Sequence, residues 1–124
     1  MPIDWTFNGL RYLVTFSDPY STPEAEAAMK AIFSQPELAR SLRLLVDVRN
    51  STPPTTEFVG NSITFWQMHV DKMWGARIAI VTGTPDQARM ANVSDLTTRA
   101  RELPFTIRMF DEADLVAAEV WLAE

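Results

Sequence analysis

The feature that most constrains this chain is a repeated pairing of a short apolar run with a helix-starting residue a few positions later. Tyr12-Leu13-Val14 precedes Thr22-Pro23, Leu44-Leu45-Val46 precedes Thr52-Pro53, and Ile78-Ala79-Ile80-Val81 precedes Thr84-Pro85. A fourth run, Phe105 to Phe110, ends at Asp111. Thr or Asp at an N-cap accepts a hydrogen bond from an otherwise orphaned helix N–H, and proline in the first turn forfeits no donor the helix needs. Four strand–helix alternations predict an α/β fold on a largely parallel sheet. With 124 residues, 47% of them hydrophobic, the expectation is one domain spanning residues 1–124 with a substantial core.

Asp4 to Asn8 alternates apolar and polar, Asn8-Gly9 is a two-residue hairpin signal, and Leu10 to Phe16 resumes the strand. The chain is therefore expected to open with an antiparallel hairpin. Ser21 or Thr22 caps a first helix, whose Ala25, Ala28, Met29 and Ile32 recur at helical spacing. Pro36 to Ser41 reads as a short turn. Arg43 to Val48 is a buried strand carrying Asp47 near its end, and Ser51 and Thr52 are read as the caps that follow it. A second helix is expected from about Pro54 to Met73, with Gly75 as its stop. Val59, Ile63, Trp66, Val70 and Trp74 form its stripe; Phe58, Phe65 and Met73 widen it to about half the circumference, more than a core-facing helix requires. Thr84 and Gln87 have capping-box spacing at the start of a third helix, whose inner side is assigned to Val93, Leu96, Ala100 and Leu103. The last strand, Phe105 to Phe110, leads into a terminal helix packed through Leu115, Ala118 and Leu122.

Charge and composition narrow the functional classes. A net charge of −5 opposes non-specific nucleic-acid binding. The absence of cysteine removes disulfides, thiolate metal sites and cysteine catalysis. No run reaches the roughly 18 apolar residues of a membrane span, and the start has no secretory signal, so a cytoplasmic protein is the expectation. His69 is the sole histidine, with no carboxylate at i, i+4 spacing to build a metal site, and no cofactor motif is present. Asp111, Glu112 and Asp114 stand where a helix N-terminus favours negative charge. Two polar features lie at strand ends, the edge where open α/β sheets place ligand crevices. One is Asp47; the other is Thr82-Gly83-Thr84, whose N–H groups suit an anion. An enzyme would have to be built from these four residues, and no catalytic signature accompanies them.

Leu44-Leu45-Val46-Asp47-Val48-Arg49, the stretch Ala76 to Gly83, and Arg108-Met109-Phe110-Asp111-Glu112-Ala113 with the closing Trp121-Leu122 resemble the small bacterial SpoIIAA-like (STAS/SEC14-like) family. The resemblance implies a mixed sheet of about five strands flanked by helices, and it does not imply an enzyme. In anti-sigma-factor antagonists a serine at the start of the second helix is phosphorylated within Asp-Ser-Ser-Gly; the matching segment here, Thr52 to Glu57, lacks that motif but offers Thr55 and Thr56. The SEC14-like side of the resemblance implies an apolar ligand between helix and sheet. Phe58, Phe65, Trp66, Met68 and His69 supply material for such a pocket, for a protein partner's docking surface, or for a homodimer contact. The expected function is thus a non-enzymatic module acting through the apolar surface around its second helix, with the Thr55/Thr56 phospho-switch and an enzyme at Asp47 and Thr82–Thr84 as alternatives.

Overall fold

The computed structural model describes residues 2–36 and 41–124. Its five strands, β1 (Ile3–Phe7), β2 (Tyr12–Phe16), β3 (Arg43–Asp47), β4 (Arg77–Thr82) and β5 (Thr106–Asp111), lie side by side in chain order in one mixed sheet. β1 and β2 form the antiparallel hairpin, and every later pairing is parallel. Because the strand order always advances in the same direction, the crossover helices fall on one face of the sheet. These are α1 (Thr22–Phe33), α2 (Thr56–Met68) with the single turn α3 (Val70–Met73), and α4 (Pro85–Ala100). A further helix, α5 (Leu115–Ala123), follows a 3-10 turn at Glu112–Asp114. It covers the opposite face.

The period-two alternation of strand side chains divides the core accordingly. Val14, Leu44, Ile78 and Ile107 point toward α1 and α2 and belong to the large cluster, together with Met29, Ile32, Val59 and Ile63. Leu45, Ala79, Val81 and Phe110 point the other way, against Ala118 and Leu122 of α5. Buried on both faces, β3 and β4 need the near-continuous apolar runs seen in their sequences. At its C-terminal end α5 is tied down by arginines from the sheet. Arg43 Nε donates to Leu122 O (3.1 Å) and Arg77 Nη1 to Trp121 O (2.8 Å), so cations meet the negative end of the helix and its unpaired carbonyls.

The caps follow the expected logic at three of four positions. Ser21 Oγ accepts from Glu24 N, Thr84 and Gln87 make the reciprocal capping box, and Asp111 accepts from Ala113 N ahead of the 3-10 turn. The Thr52-Pro53 step differs. Thr52 donates its N–H (2.9 Å) and its hydroxyl (2.8 Å) to the Asp18 carboxylate, and Ser51 Oγ donates to Val48 O (2.9 Å). Both hydroxyls hold the loop, and Thr55 caps α2 by accepting from Phe58 N (3.0 Å).

Three further expectations change in detail. The hairpin connection is four residues long, Asn8 to Arg11, because Phe7 pairs directly with Tyr12. The second helix starts at Thr56 and breaks at His69, whose φ of −113° and ψ of 37° are not helical. Gly75 then stops it at φ +68°. The buried positions of α4 are Gln87, Ala91, Ser94 and Thr98; Val93 and Leu103 pack against the core as expected, while Ala100 is exposed and Leu96 is 63% exposed. The turn expected at Pro36 to Ser41 falls in part outside the described residues.

Candidate functional site

α2 packs against α1 and α4 and meets the strands beneath it through its side chains. Large side chains fill the interval. Phe58 and Trp66 are half-buried, whereas Val59, Ile63 and Phe65 are buried. Phe58 meets Phe16 and Tyr20 edge-on, with ring centroids 6.2 Å and 5.2 Å away. Trp66 meets Phe105 edge-on at 5.8 Å. Rigid rings of this size touch at few points, and the space they leave is a partly open cavity of about 90 Å³. Val14, Val46 and Ile80 floor it, Val59, Ile63 and Trp66 roof it, and α1 and α4 close its sides.

The polar groups along this cavity are largely committed elsewhere. Ser94 Oγ donates to Met90 O (3.1 Å). Gln87, which is 3% exposed, uses both ends of its amide. Its Oε1 accepts from Gly83 N (2.7 Å) and Thr84 N (3.2 Å), and its Nε2 donates to Val48 O (2.8 Å), Ser51 O (2.9 Å) and, at 3.3 Å, Arg49 O. A space of this size holds ordered water only where polar partners are available to it. These walls favour an apolar guest.

The structure separates the five residues expected on the apolar surface. Phe58, Phe65 and Trp66 turn under α2 and line the cavity. His69 packs on Phe65 and Phe33, with centroids at 4.4 Å and 5.4 Å, and its Nδ1 lies 2.9 Å from Phe65 O. Met68 points outward, 74% exposed, as does Trp74, 67% exposed, just beyond α3. Thr55 and Thr56 are exposed at the start of α2. Thr55 borders an open groove it shares with Asp18, Tyr20, Glu57 and Asn61. Burial, with the Asp18 charge beside it, raises the Tyr20 phenol above its ordinary value.

Asp47 and the Thr82–Thr84 turn do come together at the C-terminal edge of the sheet, since Asp47 lies beside Val81 in register. Their polar groups are engaged by partners within the fold. Thr82 is buried, and the Gly83 and Thr84 N–H groups are held by Gln87. Asp47 accepts from Arg49 N (3.1 Å) and forms a two-pronged pair with its guanidinium at 3.0 Å and 2.9 Å. Burial pushes the Asp47 carboxyl up, but the hydrogen bonds and charge of Arg49 outweigh it and hold the group below the usual carboxylate range. A carboxyl lowered in the folded state stabilises the fold above its unfolded pKa, and that contribution disappears as pH falls through the folded value. Asp47→Asn is therefore expected to flatten the loss of stability below about pH 4, measured by urea unfolding across pH. An unchanged acid slope would show that the pair contributes nothing.

Gln87 was legible only in half: the capping box announces its Oε1, while nothing in the sequence announces the three carbonyls beyond its Nε2. Among the described residues, no group of three His, Cys, Asp or Glu side chains is arranged to hold a metal ion, and no helix is long and apolar enough to cross a membrane. Compared with known proteins, the chain is matched over residues 12–123, from the first residue of β2 through α5, by a family model described as SpoIIAA-like. No curated protein and no solved structure matches it.

Proposed function

The chain belongs to the SpoIIAA-like family, whose domains are in general non-enzymatic regulatory modules, and we propose that it works by holding a small apolar ligand between α2 and the sheet. The observation that carries this reading is the partly open cavity under α2, lined almost wholly by hydrocarbon and aromatic surface. Apolar pockets gain affinity from area removed from water, with few polar groups needed to orient the guest. Because α2 is separated from the strands by side chains alone, a guest bears directly on its position. That offers a route from occupancy to a change at the protein surface.

Benzene suits the first test: a dry apolar cavity of about 150 Å³ binds it, and this smaller one is partly open. In a titration followed by NMR, saturable shifts are expected to concentrate on the methyl groups of Val59, Ile63 and Val46. Ala91→Leu, placed in the cavity wall, is expected to abolish them while the fold persists. Shifts that never saturate, or that spread evenly over the surface, would sink the reading.

A protein-docking role has its own support in the exposed Met68 and Trp74, which lie at the end of the same helical segment. Domains of this kind commonly bind proteins, and a second copy of the chain is one such partner. The phospho-switch has less support. Thr55 is already engaged as the α2 cap, and the groove it borders holds the carboxylates of Asp18 and Glu57, which oppose a phosphate by like-charge repulsion.

A further inference from the structure

We propose that Asn8 is a self-processing site, at which the folded hairpin promotes closure of the Asn8 side chain on the Gly9 nitrogen. Asn8-Gly9 joins β1 to β2 in an exposed turn. In this reaction the Gly9 backbone nitrogen attacks Asn8 Cγ and a five-membered succinimide forms. The bond from Cγ to Nδ2 breaks, and Nδ2 leaves as ammonia, carrying the proton lost by Gly9 N. Water then opens the ring at either carbonyl, giving aspartate or isoaspartate, with no oxidant or reductant involved.

Two features of the fold favour this. The tetrahedral intermediate places negative charge on Oδ1, and in the folded protein Oδ1 already accepts from Leu10 N and Arg11 N, each at 2.9 Å. Backbone donors aimed at the atom where charge develops are the arrangement by which enzymes stabilise oxyanions. Gly9 itself sits at φ +93° and carries no side chain, so nothing branched on that residue crowds its nitrogen. The aspartate product retains both N–H bonds, now charge-assisted. The isoaspartate product instead inserts a methylene into the main chain, next to the Phe7–Tyr12 pair of the hairpin.

The test compares ammonia loss at Asn8 in the native chain with that in the same chain unfolded in urea, at one pH and temperature, by peptide mapping. Removing one oxyanion donor in an enzyme costs on the order of 10²–10³ in rate. Two donors in a wet turn are expected to make the folded chain react at least about 10-fold faster than the unfolded one. An equal or slower rate in the folded chain would overturn the proposal. Asn8→Asp is expected to fold normally, since the carboxylate keeps the turn's bonds; a loss of the hairpin in that variant would count equally against it.

Discussion

Gln87→Leu is expected to lower unfolding free energy by about 3 kcal/mol, because each buried polar group left without a partner costs about 1–3 kcal/mol. The size follows from what the amide holds. The Gly83 and Thr84 N–H groups lose Oε1, but they lie in an exposed turn where water replaces part of the bond. Val48 O keeps the N–H and hydroxyl of Ser51. Ser51 O sits in a buried environment and loses its Nε2 donor, which makes it the most costly member of the set. Urea unfolding checks this, with a lower midpoint at unchanged slope as the expected form.

Gln87→Glu sharpens the prediction. Its carboxylate still accepts from the two amides, but it aims negative charge at the carbonyls of Val48, Arg49 and Ser51, without a donor for any of them. The folded pKa of that carboxyl is then raised above its unfolded value, so the penalty is greatest at neutral pH and diminishes as pH falls through the folded value. Stability of Gln87→Glu rising relative to the native chain between pH 7 and pH 5 is the expected outcome. If both variants fall within about 0.5 kcal/mol of native, as surface substitutions do, the amide is not the tie between the two loops.

Ile63→Ala is expected to cost about 3 kcal/mol, within the range for removing a buried aliphatic side chain. Ile63 is 1% exposed and roofs the cavity, so its truncation removes contacts between α2 and the core beneath it and enlarges a space the fold has already left unfilled. The functional consequence is separable from the loss of stability. A larger apolar guest such as naphthalene is expected to raise the melting temperature of Ile63→Ala by mass action and to leave the native chain unchanged. A cost below about 1 kcal/mol would mean that α2 closes onto the sheet when space appears, and that the cavity does not persist as a binding site.

Much of the architecture was open to reading because its signals are local. Arg77 to Thr82 is an apolar run that ends where a capping box begins, and the strand occupies those six residues. The stripe of Ala28, Met29 and Ile32 is buried as expected. The inner face of α4 agrees only in part with the apolar spacing, since Val93 and Leu103 pack against the large cluster while Leu96 and Ala100 are exposed, and the reason is equally physical. Its buried positions include Ser94 and Thr98, whose hydroxyls donate to carbonyls one turn back, Met90 O and Ser94 O. A polar residue that satisfies itself in this way is as compatible with burial as an apolar one, and a count of hydrophobic positions passes over it. Thr52 departs from its expected role similarly, since its hydroxyl serves either a helix or a nearby carboxylate, and Asp18, 34 residues away, takes it.

The order of strands and helices, three of the caps and the family were thus settled by neighbours in the chain, where spacing along the backbone dictates what each residue can reach. The cavity, the Gln87 tie and the inward turn of Phe65 beside the outward turn of Met68 were settled by folding. Each depends on how far one helix stands from a sheet and on which loop ends meet at its edge. Those distances are set by packing rings and aliphatic chains from segments far apart in the sequence, and no local pattern encodes them.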